Sequence, residues 1–205
     1  MAAMARIPPG RAGRLRLRHS LDVAQRGADL LERKLQILRS EQERLLRAEE
    51  TAAVAWRDRL ADAETWLLRG LVLGGEQALD ATASGICPAR VTVEWTSSMG
   101  VRHPSAASCT VPVRPPTATA PANAALTHAE TAYREAVSAA ADHATAAAAA
   151  RIVGAEVLST RQRARALQRH WIPRLQAALA HAELALEQAE HEDAVRRRWA
   201  ARMRG

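Results

Sequence analysis

The sequence predicts a mainly α protein: a long antiparallel two-helix coiled coil with a small β-hairpin insertion at the helix-turn pole. Three observations predict it. Two long stretches repeat apolar residues at alternating three- and four-residue steps, the spacing of a coiled-coil seam. Between them the composition changes to Ser, Thr, Pro and β-branched residues. Aromatics are only 3 % of the chain, with no Phe and the single tyrosine Tyr133, so a compact core lacks its usual large rings. Leu, Ala, Arg, Glu and Gln dominate instead, and all are strong helix formers.

Residues 1–14 contain Pro8, Pro9, Gly10 and Gly13 and are expected to form an irregular arm. A helix is expected from Leu15 or Leu17. Its seam is Leu21, Ala24, Ala28, Leu31, Leu35, Leu38, Gln42 and Leu45, continued through Ala52, Trp56, Ala63 and Leu67. No proline interrupts residues 15–87, but Gly70, Gly74 and Gly75 weaken the end, which is expected near residue 72.

The segment 84–122 is expected to be a hairpin with a proline-rich connector. Arg90-Val91-Thr92-Val93-Glu94-Trp95 alternates at period two, as a strand does. Thr96–Gly100 reads as a turn, Val101–Val113 as the returning strand, and Pro112, Pro115, Pro116 and Pro121 end it. Strands this short cannot form a core of their own, so the hairpin is expected to be dispensable for folding of the coiled coil.

Asn123 or Thr127 is a fitting N-cap for a second helix over 123–205. Alanine dominates its first half. Its second half repeats Gln168, Ile172, Leu175, Leu179, Ala182, Leu186 and Ala189, with Pro173 expected to bend the helix locally. Each helix has one seam to bury, and the other helix is the simplest cover. The segment 150–203 is expected to lie against 15–72. Three segments follow: arm and first helix (1–83), hairpin connector (84–122) and second helix (123–205).

The net charge is +7, nearly all from arginine, with Lys34 the one lysine. Such a balance suits nucleic acid, acidic lipid or an acidic protein partner without choosing among them. Arg14, Arg16 and Arg18 lie near one terminus and Arg196, Arg197 and Arg198 near the other, and an antiparallel layout brings both sets to one pole. No recognition motif or interleaved aromatics supports nucleic-acid binding. No apolar run reaches the length of a membrane span, so no direct membrane insertion is expected.

Cys87 and Cys109 belong to no metal-ligand pattern and His128, His143, His170, His181 and His191 have no helical metal spacing; no cofactor, metal or catalytic site is expected. The two cysteines are equidistant from Ser98 and would face each other across a hairpin turning there. A cytoplasmic setting, the plain reading of two isolated cysteines, favours free thiols. Trp56, Trp66, Trp171 and Trp199 are expected to fill the seam, and Trp95 to stand on the hairpin.

Three segments together carry a resemblance. The first is Arg14-Leu15-Arg16-Leu17, then Leu21, Ala24, Arg26-Gly27, Leu30-Leu31 and Lys34; the second is Met99-Gly100-Val101-Arg102-His103-Pro104; the third is Arg163, Ala166-Leu167, Ile172-Pro173-Arg174-Leu175 and Glu190-His191-Glu192-Asp193. In this order the chain resembles the D subunits of the vacuolar- and archaeal-type rotary ATPases. It departs from that pattern at Arg165, Gln168 and His103, the last where an aliphatic residue is common.

The resemblance implies a non-catalytic central rotor shaft that carries torque between ATP chemistry and ion translocation, with protons the expected ion. It implies as partners a hexamer of catalytic A- and B-type subunits, a small F-type subunit, and a connector on the membrane rotor ring. Arg14, Arg16, Arg18, Arg196, Arg197 and Arg198 would then meet an acidic bore. Trp95, Met99, Gly100, Val101 and Pro104 would serve partner contacts. Arg26, Gly27, Lys34, Ile172, Pro173 and Leu175 would be structural. The alternative is a coiled-coil scaffold or a basic nucleic-acid-associated rod.

Overall fold

The computed structural model describes residues 10–84, 86–115, 118 and 120–204. The element order is α1 (Arg11–Ala83), β1 (Arg90–Ser98), β2 (Val101–Thr110), α2 (Ala124–Ala166), a π-helical turn (Leu167–Trp171) and α3 (Ile172–Arg202). They form two compact units. One joins the chain up to Gln36 with the chain from Leu158; the other is Ile37–Val157. Among the described residues no helix is long and apolar enough to cross a membrane.

The first unit is built by two antiparallel helical stretches. Leu17, Ala24 and Leu175 are its buried centre, with Leu21, Ile172, Ala178, Leu179 and Ala182 packed around them. The helix starts at Arg11, earlier than expected, because Gly10 takes a positive φ of 87° and its carbonyl receives the Gly13 and Arg14 N–H groups. The remainder of the expected arm, 1–9, lies outside the described residues.

The second seam differs from its expected form. Gln168 and Ala189 are exposed; the buried or half-buried series runs Thr160, Ala164, Leu167, Ile172, Leu175, Leu179, Ala182, Leu186. The step from Leu167 to Ile172 is five residues because the turn between them is π-helical, with the Ile172 N–H bonded to the Leu167 carbonyl. Pro173 explains the insertion: it has no N–H to donate and its ring crowds the carbonyl four residues back. The wider turn absorbs both effects and leaves Pro173 in the first turn of α3, where a proline costs little.

In the second unit the seam of α1 is as the spacing predicts. Leu38, Leu45 and Ala63 are buried, and Gln42, Ala52, Trp56 and Leu67 are half-buried. Its partner α2 contributes Leu126, Ala129, Ala136, Ala149, Ala150, Val153 and Val157. Helix pairing therefore extends back to the start of α2 and is not confined to 150–203. Alanine at the contact positions lets backbones approach closely.

α1 is kinked at Gly75 (φ 71°, ψ 177°), where a first helical stretch ends and a second continues to Ala83. The break falls close to the expected end near residue 72, and Gly75 is the glycine that makes it; Gly70 and Gly74 serve packing as well. Asn123 caps α2, accepting the Leu126 N–H at 2.9 Å, and its amide donates to the Gly70 carbonyl at 3.1 Å. A Cβ at Gly70 would fall 2.6 Å from Leu126 Cδ2, and one at Gly74 2.9 Å from Asn123 Nδ2. Bare backbone lets the start of α2 cross here.

Candidate partner-binding surfaces

In the first unit, Arg11 reaches Glu190 at 2.8 Å and Arg18 reaches Glu183 at 2.5 Å, tying α1 to α3. The Arg11 hydrogen bond and charge hold the exposed Glu190 carboxyl below the ordinary glutamate range. Arg14 is half-buried, and its Nε has no hydrogen-bond partner among the described residues. Arg16 is exposed. Arg196 pairs with Glu192 at 3.2 Å and Asp193 at 3.4 Å, while Arg197 and Arg198 donate to the carbonyls of Asp193 and Ala194. The fold thus brings the arginines from both chain ends onto one unit, interleaved with acids.

The motif residues of this unit have mostly packing positions. Leu175 is buried, Ile172 and Lys34 are half-buried, and Gly27 lies opposite Leu167, whose Cδ1 would be 4.0 Å from an added Cβ. Arg26 bonds Asp22 one turn back on the surface. Trp171 and Trp199 correct the seam-filling expectation, at 40 % and 65 % exposed. The π turn rotates Trp171 off the seam.

The hairpin belongs to the second unit. Met99 and Gly100 form its two-residue loop with φ of 51° and 81°, the mirror-image turn geometry that suits the strand twist. This is tighter than the expected Thr96–Gly100 turn. Gly100 takes its positive φ without strain, whereas Met99 costs about 1 kcal/mol there. The turn centre and a bulge between Glu94 and Trp95 set Cys109 opposite Val91, so it does not face Cys87, and both thiols are free.

β2 is the inner strand. His103 and Pro104 are buried, and a half-open cleft of about 430 Å³ is lined by His103–Ala107, by Arg44, Leu45 and Ala48 of α1 and by Asp142, Thr145 and Ala149 of α2. His103 Nδ1 lies 3.1 Å from the Pro104 carbonyl; its Nε2 is buried without a hydrogen-bond partner among the described residues, 3.9 Å from Glu41 Oε1. Glu41 is held below its ordinary range first by the Arg44 hydrogen bond, against a smaller effect of burial. β1 is the outer strand, exposed throughout except at Ser98. Trp95 therefore faces solvent, with the Arg102 guanidinium 5.2 Å from its ring centre. Met99 and Gly100 are exposed, Val101 is half-buried, and Pro104 is buried.

Two features had no signal strong enough to single them out beforehand. Arg114, in the connector, donates to Glu130 at 3.0 and 2.8 Å and to the Thr82 carbonyl at 2.8 Å, clasping the end of α1 to α2. The Trp56 ring stacks on His143 and the Trp66 ring on His128, at 5.2 and 4.7 Å between centres. Both need long-range geometry that no local spacing encodes.

The sequence profile of the family described as the D subunit of ATP synthase matches residues 14–202. The chain is also 33 % identical over 209 residues to the D subunit of the V-type ATP synthase of Anaeromyxobacter sp. (strain Fw109-5), covering 94 % of this chain and 92 % of that protein.

Proposed function

This chain belongs to the family of ATP synthase D subunits, and from that premise we propose that it is the central shaft of a V-type rotary ATPase. It carries torque between nucleotide chemistry in a head of A- and B-type subunits and proton translocation by a membrane ring. It does so without catalytic groups of its own. A small F-type subunit and a connector on the ring are its other partners, and it works on the cytoplasmic face as a peripheral part of the complex.

The observation that carries this reading is the family match over residues 14–202, nearly all of a chain built from paired helices. The surface of the first unit supports it. A shaft slides past successive catalytic interfaces and therefore needs stiffness without tight, position-specific bonds. The helices of this unit are joined by a slim apolar core and by ion pairs that are exposed, such as Arg11–Glu190 at 77 % and 61 %. Pairs that exposed contribute little individually and exchange partners readily. The arginines Arg14, Arg16, Arg18, Arg196, Arg197 and Arg198 meet the acidic lining of the head on long, repartnering stems.

A covalent tether tests the reading. In the assembled complex, Arg202→Cys is combined with Cys87→Ser and Cys109→Ser, and a cysteine is placed in the facing wall of the head. Oxidation is expected to stop ATP turnover and reduction to restore it. Unchanged turnover in a fully cross-linked complex overturns the shaft reading.

A further inference from the structure

The hairpin leaves one hydrogen-bonding edge open. β1 pairs with β2 alone, so its other side presents a row of main-chain N–H and C=O groups to water. Natural edges are usually blunted by proline, lysine or a bulge on the edge strand. β1 contains neither residue, and the bulge puts its surplus residue, Ser105, on β2. The outer edge thus stays regular over Arg90–Ser98.

The side chains bordering that edge are patterned as well. Val91, Val93 and Trp95 share one face by their spacing and are 48 %, 39 % and 50 % exposed. Arg102 lies over Trp95 and makes no ion pair among the described residues. A guanidinium held over a ring without an ion-pair partner keeps donors available for a carboxylate.

We propose that the outer edge of β1 is a strand-addition site for an extended segment of a partner protein. That segment carries apolar side chains at alternate positions, against Val91, Val93 and Trp95, and an acidic side chain beside Arg102. Main-chain hydrogen bonds supply the attachment, and the alternate side chains supply register. A second copy of this chain is a poorer occupant, because β1 pairing with itself brings Arg102 no carboxylate on that face: Glu94 is on the opposite face of the strand. The proposal needs only that the hairpin meets a partner, and it stands or falls apart from the shaft reading.

Amide hydrogen exchange of the full chain tests it in two arms. In the assembled ATPase, amides of 90–98 are expected to slow relative to the isolated chain, with the slowing lost in Val93→Lys. With the isolated chain, a synthetic peptide of alternating valine and threonine bearing one glutamate is expected to protect the same amides. Exchanging its glutamate for lysine weakens binding by roughly fivefold, which corresponds to about 1 kcal/mol, and Arg102→Glu reverses that preference. Equal exchange in the assembled and isolated states, or equal protection by a peptide of shuffled order, overturns the proposal. So does protection that grows with chain concentration alone and accompanies dimer formation, which assigns the edge to a second copy. None of these readouts depends on turnover, so failure of the shaft reading leaves a distinguishable result.

Discussion

Arg114 grips Glu130 through two hydrogen bonds, at 3.0 and 2.8 Å, and from the same guanidinium caps the α1 carbonyl of Thr82. Arg134 adds a third bond to Glu130 at 2.7 Å. Burial opposes ionisation of Glu130, but the hydrogen bonds and charges of the two arginines outweigh it and hold the carboxyl below its ordinary range.

Glu130→Gln is therefore expected to destabilise the protein by about 1–3 kcal/mol at neutral pH, because two shielded arginines lose their counter-charge. A depressed folded pKa stabilises above the unfolded value, about 4.3, and that contribution is lost as pH falls through the folded value. The difference between wild type and variant should thus be full at neutral pH and vanish in acid. Denaturant unfolding at several pH values checks this; a pH-independent difference would show that the charge is not what matters.

Two glycine substitutions should have opposite signs. Gly70→Ala drives a Cβ to 2.6 Å from Leu126 Cδ2 and 3.2 Å from its backbone N. The backbone cannot yield cheaply, so a loss of about 1–3 kcal/mol is expected despite the better helix propensity of alanine. At Gly27 the nearest atom outside the local helix is Leu167 Cδ1 at 4.0 Å, an ordinary contact, and Gly27→Ala should gain up to about 1 kcal/mol. Thermal unfolding of the two variants side by side decides it.

His103→Leu is expected to stabilise the docked hairpin by about 1 kcal/mol, because it removes a buried Nε2 that has no hydrogen-bond partner among the described residues. His103→Ala should instead lose about 2 kcal/mol by opening a cavity beneath β2. Unfolding midpoints read the stability, and exchange of the β2 amides reads the docking. The hairpin is expected from strand length to be dispensable for folding, and the two variants also bear on that, because its inner strand is part of the packing.

Much of this was legible in local pattern. Three- and four-residue spacing gave the α1 seam, which the buried Leu38, Leu45 and Ala63 bear out. Period-two alternation over Arg90–Trp95 gave the hairpin, though not its tight turn, and Asn123 was one of the two cap candidates. These are readable because each is set by neighbours within a few residues. The family was legible too, since its three motifs lie within such local elements.

Tertiary structure decided what depends on residues far apart. Pro173 announces a disturbed helix, but only the packing of Leu175 and Leu179 onto the first helix fixes that the disturbance is a π turn and that Gln168 leaves the seam. Gly70, Gly74 and Gly75 read locally as helix breakers, and Gly75 is one; Leu126 and Asn123, from the start of the next helix, make Gly70 and Gly74 contact points. The same holds for Arg114, whose partners lie on two helices, and for the choice of β2 as inner strand. Sequence spacing encodes periodicity, while burial, close approach and charge pairing arise only when distant segments meet.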